Sequence, residues 1–207
     1  MARTYNSFWK LCRREGVSLY IKGAHAFTPK TGLQRREYPP GQHVYRRMRI
    51  SDYGLKLRET QKVKRAYGLS DRQFRRMFGI AQRMPGNTGS NLLQLMERRL
   101  MSVVATLGFA PTMSGSRQMI AHGHIQVNGH KVDVANYLVR EGDVVRPEPT
   151  DATLETVRAQ REEAGHREPG WLAVNDADLT VRVTRMPVRE DVGLEVEDGL
   201  VVEFCSR

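Results

Sequence analysis

The charge of this chain is divided unevenly along its length, and this division limits what the chain can fold into by itself. Residues 1–100 contain 22 Lys and Arg against 6 Asp and Glu, whereas residues 151–207 contain 7 against 13. A surface with so large a positive excess repels itself unless counterions or phosphates neutralise it. We therefore expect the first half of the chain to bind RNA or DNA. The acidic end is expected to face solvent or a basic protein partner.

The composition is that of a folded protein. The 207 residues are 40% hydrophobic and 27% charged, which suits one large domain or two small ones. Because Cys12 and Cys205 are the only cysteines, a reducing compartment is expected. The first ten residues contain no apolar signal-peptide core, and no apolar run reaches the roughly 20 residues of a membrane span. We expect a cytoplasmic protein with no membrane contact and no cofactor.

Capping and periodicity signals predict helices from residue 51 onward. A basic amphipathic helix is predicted over residues 51–68, because a glycine that can end a helix follows its apolar positions. Ser70 and Gln73 have the spacing of a capping box and predict a second helix. Apolar positions at helical spacing predict a third helix over residues 90–108. Residues 1–50 lack sustained periodicity and are expected to be irregular.

The second half of the chain alternates between helix and strand signals. Asn128-Gly129 is a favoured two-residue hairpin turn, and it stands between two short alternating segments. Turn residues around Gly142 predict another connection between strands. The remaining predicted elements are a short helix over 114–122, an acidic helix over 151–164, and strands at Leu179–Val183 and Leu200–Phe204.

The basic helices between residues 51 and 83 favour contact with phosphate. They contain nine Lys and Arg against three Asp and Glu, although a solvated face is the usual meaning of a charge run. Arginine clusters in the first 50 residues stand among aromatic side chains, which suits the recognition of folded RNA. For several of these aromatic side chains, a small local core is an equally good interpretation.

Candidate catalytic and metal sites are weak. His122 and His124 have no neighbouring carboxylate or thiolate to complete a tetrahedral metal site, so a turn near RNA is favoured. The acidic residues that could resemble catalytic carboxylates stand in ordinary turn sequence: Asp176, Asp178, Glu190 and Asp191. An RNA-modifying enzyme is the rival function, but the flanks of about 96 and 57 residues leave little room for its catalytic domain.

Short motifs occur along essentially the whole chain. They are Cys12-Arg-Arg-Glu-Gly16, Tyr38-Pro-Pro-Gly-Gln-His43, Gly86-Asn-Thr-Gly89, Arg99-Leu100, Val127-Asn-Gly129 and Phe204-x-Ser-Arg207. In this order they resemble the bacterial S-four family of small-subunit ribosomal proteins. The stretch from about 97 to 150 is shared with many proteins that carry the same small RNA-binding module, so the motifs outside it distinguish this family.

The resemblance implies a structural protein that is not an enzyme. Such a protein is the primary binder of the five-prime domain of small-subunit rRNA, nucleates subunit assembly, lines the mRNA entry channel and contributes to translational accuracy. The implied partners are small-subunit rRNA, mRNA and neighbouring small-subunit proteins, notably protein five. A second activity as a translational regulator that binds its own mRNA stays open.

The residues expected to bind RNA follow from the basic segments and from the resemblance. The expected rRNA contacts are Arg3, Arg13, Arg14, Arg35, Arg36, Lys56, Arg58, Lys62, Lys64, Arg65, Arg72, Arg75, Arg76, Arg117, His122, His124 and Lys131. In this family the arginines after the Pro-Gly-Gln-His segment line the mRNA entry channel, and the matching residues are Arg46, Arg47 and Arg49.

The resemblance also implies an α+β fold. A mainly helical first domain is interrupted by a small α/β RNA-binding module, which contains a helix-turn-helix-like pair and a β-hairpin. We assign residues 1–50 to an irregular basic N-terminal segment. Residues 51–96 form the helical rRNA-binding domain, which the C-terminal tail from about 180 to 207 completes. Residues 97–179 form the module and include the acidic helix.

Two parts of the sequence depart from the family pattern. Zinc-bearing members have four cysteines in the first 31 residues, and the matching residues here are Trp9, Cys12, Ala26 and Thr31. One thiol cannot hold zinc, so we expect no metal. Packing and rRNA must then order the first 50 residues, and we expect this segment to be poorly ordered in the free protein and fixed in the ribosomal particle. In the module, Met113 stands where the family commonly has Arg. We expect one phosphate contact fewer there, with Arg117 remaining.

Overall fold

The computed structural model describes residues 7–19, 32–42, 49–164 and 169–206. The chain divides into two compact units. Met1–Leu92 and Leu194–Arg207 form the first, which we call the helical unit, and Leu93–Gly193 form the second, which we call the module. The predicted α+β fold class is confirmed, since the helical unit contains helices and the module combines helices with a sheet.

Nine α-helices and five strands lie within the described ranges. The helices are α1 Phe8–Glu15, α2 Gly32–Arg35, α3 Asp52–Ala66, α4 Asp71–Ala81, α5 Thr88–Glu97, α6 Leu100–Thr106, α7 Met113–Ala121, α8 Asp151–Ala164 and α9 Asp198–Cys205. The strands are β1 Ile125–Val127, β2 His130–Lys131, β3 Val144–Pro147, β4 Leu172–Asn175 and β5 Thr180–Val183. Within the described ranges, no helix has both the length and the apolar content needed to cross a membrane.

The start of α4 confirms the predicted capping box. Ser70 Oγ accepts a hydrogen bond from the backbone N–H of Gln73 at 3.4 Å, and Gln73 Oε1 accepts one from the backbone N–H of Ser70 at 3.3 Å. These contacts satisfy two backbone donors that the first turn of a helix otherwise leaves unpaired. One face of α4 packs into the core of the helical unit, where Phe74 is 1% exposed.

The first 50 residues are less irregular than the sequence indicates. Phe8, Leu11 and Cys12 are buried along one side of α1, at the three- and four-residue spacing of a helix face. Gly16 ends α1 with a φ of +72°, a left-handed conformation that glycine adopts without steric cost. The prediction of an irregular segment is wrong for α1 and α2, because eight and four residues are too short to give sustained periodicity.

The predicted helix over 90–108 is two helices. α5 ends at Glu97, and Arg99 is extended with φ −66° and ψ 132° before α6 begins. The backbone N–H of Leu100 donates to the carbonyl of Tyr137 at 2.8 Å, which is 37 residues later in the chain. Apolar residues continue at helical spacing through the break, so periodicity could not reveal this long-range hydrogen bond.

The predicted strand at Leu200–Phe204 is wrong, because these residues belong to α9. Val201 and Val202 favour strands in isolation. Here Val201 is 2% exposed, and α9 packs along α3 inside the helical unit. Tertiary packing therefore overrides the local preference for a strand. A helix of only eight residues has little stability by itself, so this packing is what makes the segment helical.

The module is built around a five-stranded antiparallel sheet with the order β2-β1-β3-β5-β4. Val127 pairs with Val145, and Val145 pairs with Val181, so neighbouring strands place valines in one row on the buried face. The predicted hairpin turn is present, with positive φ at Asn128 (51°) and Gly129 (80°). The core beneath the sheet also contains Phe109 and Trp171.

The tail returns to the helical unit later than residue 180. Thr180–Val183 is the fourth strand in the sheet order, between β3 and β4, and it pairs with both. The first tail residue in the helical unit is Leu194. The sequence shows the strand at 179–183 but not β4, one of its two pairing partners, because β4 is a short segment that periodicity did not reveal.

Candidate nucleic-acid interface

Helix α4 and the turn that follows it carry four arginines on the side opposite the buried face of the helix. Positions 72, 75, 76 and 83, with Gly79 among them, fall within about 100° of arc at 100° per residue. We call this surface the arginine face. Its four side chains are exposed, whereas the opposite side of the helix is buried and consists of Phe74, Met77, Phe78 and Ala81. The arginine face is the largest concentration of exposed arginine on any one helix within the described ranges.

Few acidic groups neutralise the arginine face. Its members without an ion-pair partner among the described residues are Arg72, Arg76 and Arg83. Arg75 is 81% exposed and pairs with Asp71 at 2.9 Å. Asp71 also pairs with Lys64, and the hydrogen bond from Lys64 lowers the pKa of this carboxyl. The face therefore keeps most of its positive charge for an external anion.

The cations of α3 are used inside the helical unit. All five that the sequence assigned to rRNA contact pair with carboxylates: Lys56 with Glu203, Arg58 and Arg65 with Glu15, Lys62 with Glu59, and Lys64 with Asp71. Such partners neutralise the charge that a phosphate would meet. The sequence count of nine cations against three acids does not include acids from distant parts of the chain, so it overstates the free charge of α3.

Part of the acidic tail is held by α3. Lys56 Nζ donates to Glu203 Oε1 at 2.6 Å, and Lys62 Nζ donates to the carbonyl of Glu195 at 3.3 Å. The backbone N–H of Glu197 donates to Glu59 Oε2 at 3.2 Å. The sequence led us to expect solvent or a basic protein partner for the acidic end. For Glu195, Glu197 and Glu203, the partner is a helix of the same chain.

Glu15 joins α1 to α3. Its side chain is fully buried, and Oε1 accepts from Arg58 at 3.2 Å and from Arg65, while Oε2 has no hydrogen-bond partner. Burial raises the pKa of Glu15, against the opposing effect of Arg65 and Arg58. Burial likewise lowers the pKa of Arg65. The two arginines thus serve the packing of α1, and their charge is balanced at this point.

Arg13 and Arg14 hold the segment that follows α2. Arg13 Nε donates to the carbonyl of Tyr38 at 3.0 Å, and its guanidinium lies 4.9 Å from the centre of the Tyr38 ring. Arg14 Nη2 donates to the carbonyl of Pro40 at 2.8 Å. These contacts are structural, and they fix a proline-rich segment that has no helix or strand of its own.

The exposed end of the module brings together three residues predicted to bind rRNA. His122 and His124 flank Gly123, and their ring centroids are 6.2 Å apart. Gly123 has a φ of +74°, and a Cβ there would overlap the side chain of Lys131. The side chain of Lys131 therefore lies across Gly123, the residue between the two histidines. We call His122, His124 and Lys131 the module tip.

Arg117 lies on α7 and is half-buried. The helix forms despite Ser114-Gly115-Ser116, because Thr112 Oγ1 accepts from the backbone N–H of Gly115 at 3.0 Å and caps the first turn. Met113, at the position expected to lack a phosphate contact, packs against the module core.

The remaining predicted RNA contacts lie on exposed segments or outside the described residues. Arg35, Arg36 and Arg49 are exposed. Arg3, Arg46 and Arg47 lie outside the described residues, as do two matches to the cysteines of zinc-bearing relatives, Ala26 and Thr31. Sequence reasoning did not include Arg83, although its position seven residues after Arg76 is a two-turn helical spacing.

The acidic residues of the second half have structural partners. Asp176 pairs with the buried Arg161 at 2.5 Å, and Asp191 pairs with Arg185 at 2.7 Å. The hydrogen bond from Arg185 lowers the pKa of Asp191. Within the described ranges, no group of three or more His, Cys, Asp or Glu side chains could hold a metal ion. Cys12 is buried, and burial raises the pKa of its thiol.

Comparison with known proteins matches the whole length of the chain. The family described as the ribosomal protein S4/S9 N-terminal domain matches residues 3–97, and the S4 domain matches residues 98–145. Small ribosomal subunit protein uS4 of Thermus thermophilus is 46% identical over 209 residues. The protein of the same name from Thermodesulfovibrio yellowstonii is 45% identical over 210 residues, and both comparisons cover 100% of each chain. This chain belongs to the uS4 family.

Membership of the uS4 family confirms the resemblance drawn from the motifs. The family consists of structural ribosomal proteins, so the expectation of an RNA-binding ribosomal protein without enzymatic activity is confirmed. The two matched family regions of uS4 meet between residues 97 and 98, inside the short break between α5 and α6. The arginine face belongs to the first region and the module tip to the second.

Proposed function

We propose that this protein binds the five-prime domain of small-subunit rRNA and nucleates assembly of the small ribosomal subunit in the cytoplasm. The arginine face is the observation that carries this proposal. Three of its four guanidinium groups have no acidic partner among the described residues, and a face of one charge sign repels itself until a polyanion neutralises it.

The chemistry of the arginine face fits phosphate. Guanidinium groups present a planar fork of donors that matches two oxygens of one phosphate group, and they keep their charge at any physiological pH. Each phosphate contact releases condensed counterions, which favours binding and makes it depend on salt. The module tip supplies a second cationic surface with imidazole donors, so each of the two units has its own means of contacting RNA.

The test is the affinity of the purified full chain for a transcript of the rRNA five-prime domain, measured across a salt series in excess tRNA. We expect tight binding that tRNA does not displace, because specific recognition adds contacts to the electrostatic ones. Equal and steeply salt-dependent binding to both RNAs would contradict the proposal, since charge alone would then explain it.

The finer contacts of the proposal concern mRNA and protein five. Arg49 is exposed just before α3, where the family resemblance suggests a lining of the mRNA entry channel and a contribution to accuracy. Three large apolar residues near the start of α3 are also exposed: Ile50, Tyr53 and Leu55. The Tyr53 ring lies 5.7 Å from that of Phe204 on α9, and such a patch suits a protein neighbour such as protein five.

Site-specific crosslinking in assembled subunits checks these finer contacts. A photoreactive residue at position 53 is expected to crosslink to protein five, and one at position 49 to mRNA that extends into the entry channel. A position-53 crosslink to rRNA alone would remove the support for the protein contact. If the photoreactive residue at position 49 forms no crosslink to added mRNA, the channel contact loses its support.

A further inference from the structure

Gly79 interrupts the arginine face at a place where the fold does not require glycine. It is a helical residue in α4, and its φ is not in the left-handed region. A Cβ built on it would meet nothing within 4 Å. Glycine is among the least favourable residues inside a helix, so neither local conformation nor packing explains its presence.

Most other helical glycines of the described residues have a packing reason. A Cβ on Gly89 would lie 2.6 Å from the Cβ of Asp198, and one on Gly115 would lie 3.2 Å from Thr112 Oγ1. Gly199 in α9 is the helical glycine that shares the open surroundings of Gly79. Gly79 differs from Gly199 in its neighbours, because it stands among four exposed arginines on one side of a helix.

We propose that the sugar-phosphate backbone of an RNA strand lies directly on α4 at Gly79, with arginines on both sides of it binding successive phosphates. This inference rests on the proposed function and specifies how the arginine face binds RNA. Arg72 lies in the first turn of α4 and Arg83 lies two residues beyond its end. The helix rises by about 14 Å between Arg72 and Ala81, which is enough for several nucleotides. The missing side chain at 79 leaves a depression, and the guanidinium groups around it reach toward the phosphates of a strand seated there.

The surface suits a polyanion better than a protein segment. The exposed large apolar residues of the described chain are Ile50, Tyr53, Leu55, Val134 and Val188, and none of them is on α4. The cores of protein interfaces are depleted in charged residues, and where arginine occurs there it accompanies apolar or aromatic anchors. A cationic face without such an anchor, which has room for close backbone approach, is what phosphate-directed binding requires.

The test compares Gly79→Ala and Gly79→Leu with Gly199→Leu, each in the full chain and with a transcript of the rRNA five-prime domain. Leucine at 79 holds the strand away from the helix without changing the charge, so we expect about tenfold weaker binding, and an intermediate loss with alanine. Gly199→Leu should bind like the unmodified chain. The midpoint of thermal unfolding should be unchanged or higher for both Gly79 variants, because each residue favours helix more than glycine does.

The outcomes separate this inference from the proposed function. A second variant, in which Arg72, Arg75 and Arg76 are replaced by glutamine, is measured beside these. If Gly79→Leu binds RNA as tightly as the unmodified chain while this arginine variant binds more weakly, the close approach is wrong and the proposed rRNA binding stands. If Gly79→Leu and the arginine variant both bind RNA as tightly as the unmodified chain, the close approach and the role of the arginine face are both wrong. If Gly79→Leu binds RNA normally but fails to enter assembled subunits, a protein segment covers this face and the inference is wrong.

Discussion

Replacing Arg72, Arg75 and Arg76 together by glutamine is expected to weaken binding of the rRNA five-prime domain by roughly 100-fold. Glutamine keeps much of the length and polarity of the side chains but removes three charges. Each lost phosphate contact should lower the slope of log affinity against log salt by about 0.7 to 0.9, so three lost contacts should lower it by roughly 2 to 3 in total. Filter binding or fluorescence anisotropy across a salt series measures both quantities.

The matched control removes the same charge from α3. The Nζ atoms of Lys56 and Lys62 each lie 2.6 Å from a carboxylate oxygen, and Lys64 pairs with Asp71. These three lysines therefore have less charge to offer to phosphate. Replacing these three by glutamine should reduce RNA affinity by less than about tenfold, and the main effect should be a less stable helical unit. Equal losses from the two triple variants would mean that only net charge matters, and the geometric distinction between α3 and α4 would be wrong.

The fold was predictable where the signal is local. The capping box of Ser70 and Gln73, and the turn at Asn128-Gly129, depend on residues within four positions of one another, and both are present as predicted. α9 was not predictable in this way. Val201 and Val202 favour a strand by themselves, and only the packing of α9 against α3, more than 130 residues earlier in the chain, makes this segment helical.

The candidate interface was predictable in composition but not in detail. The sequence shows that α3 and α4 are both basic, and it cannot show which cations keep their charge. That distinction depends on pairs such as Lys56 with Glu203, which are separated by 147 positions. The module tip was also predictable only in part. The His-Gly-His sequence indicated a turn, but the position of Lys131 across Gly123 depends on the hairpin that brings the two segments together.

Arginine itself is an ambiguous signal, as Arg98 and Arg99 demonstrate. Arg99 is fully buried, and its Nε and Nη2 donate to Asn136 Oδ1 at 3.1 and 2.6 Å. Arg98 is half-buried, and its Nε donates to the carbonyl of Val139 at 3.1 Å. Burial and the neighbouring Arg140 lower the pKa of Arg98, against the effect of Asp143. Arg98 and Arg99 are adjacent in the sequence but differ in burial and in hydrogen-bond partner. The pattern of charges along the sequence cannot show this difference.

Arg99→Ala is expected to destabilise the module by about 3 kcal/mol, and Arg98→Ala by about 1 kcal/mol. The first change leaves a cavity and an unsatisfied Asn136 oxygen beside the backbone contacts that join residues 98–101 to 135–139. Because each variant loses one positive charge, a difference between them reports burial and hydrogen bonding alone. Urea unfolding followed by Trp171 fluorescence in a Trp9→Phe background measures the module, since Trp171 is 2% exposed in its core. Equal unfolding midpoints for the two variants would contradict a structural role for Arg99.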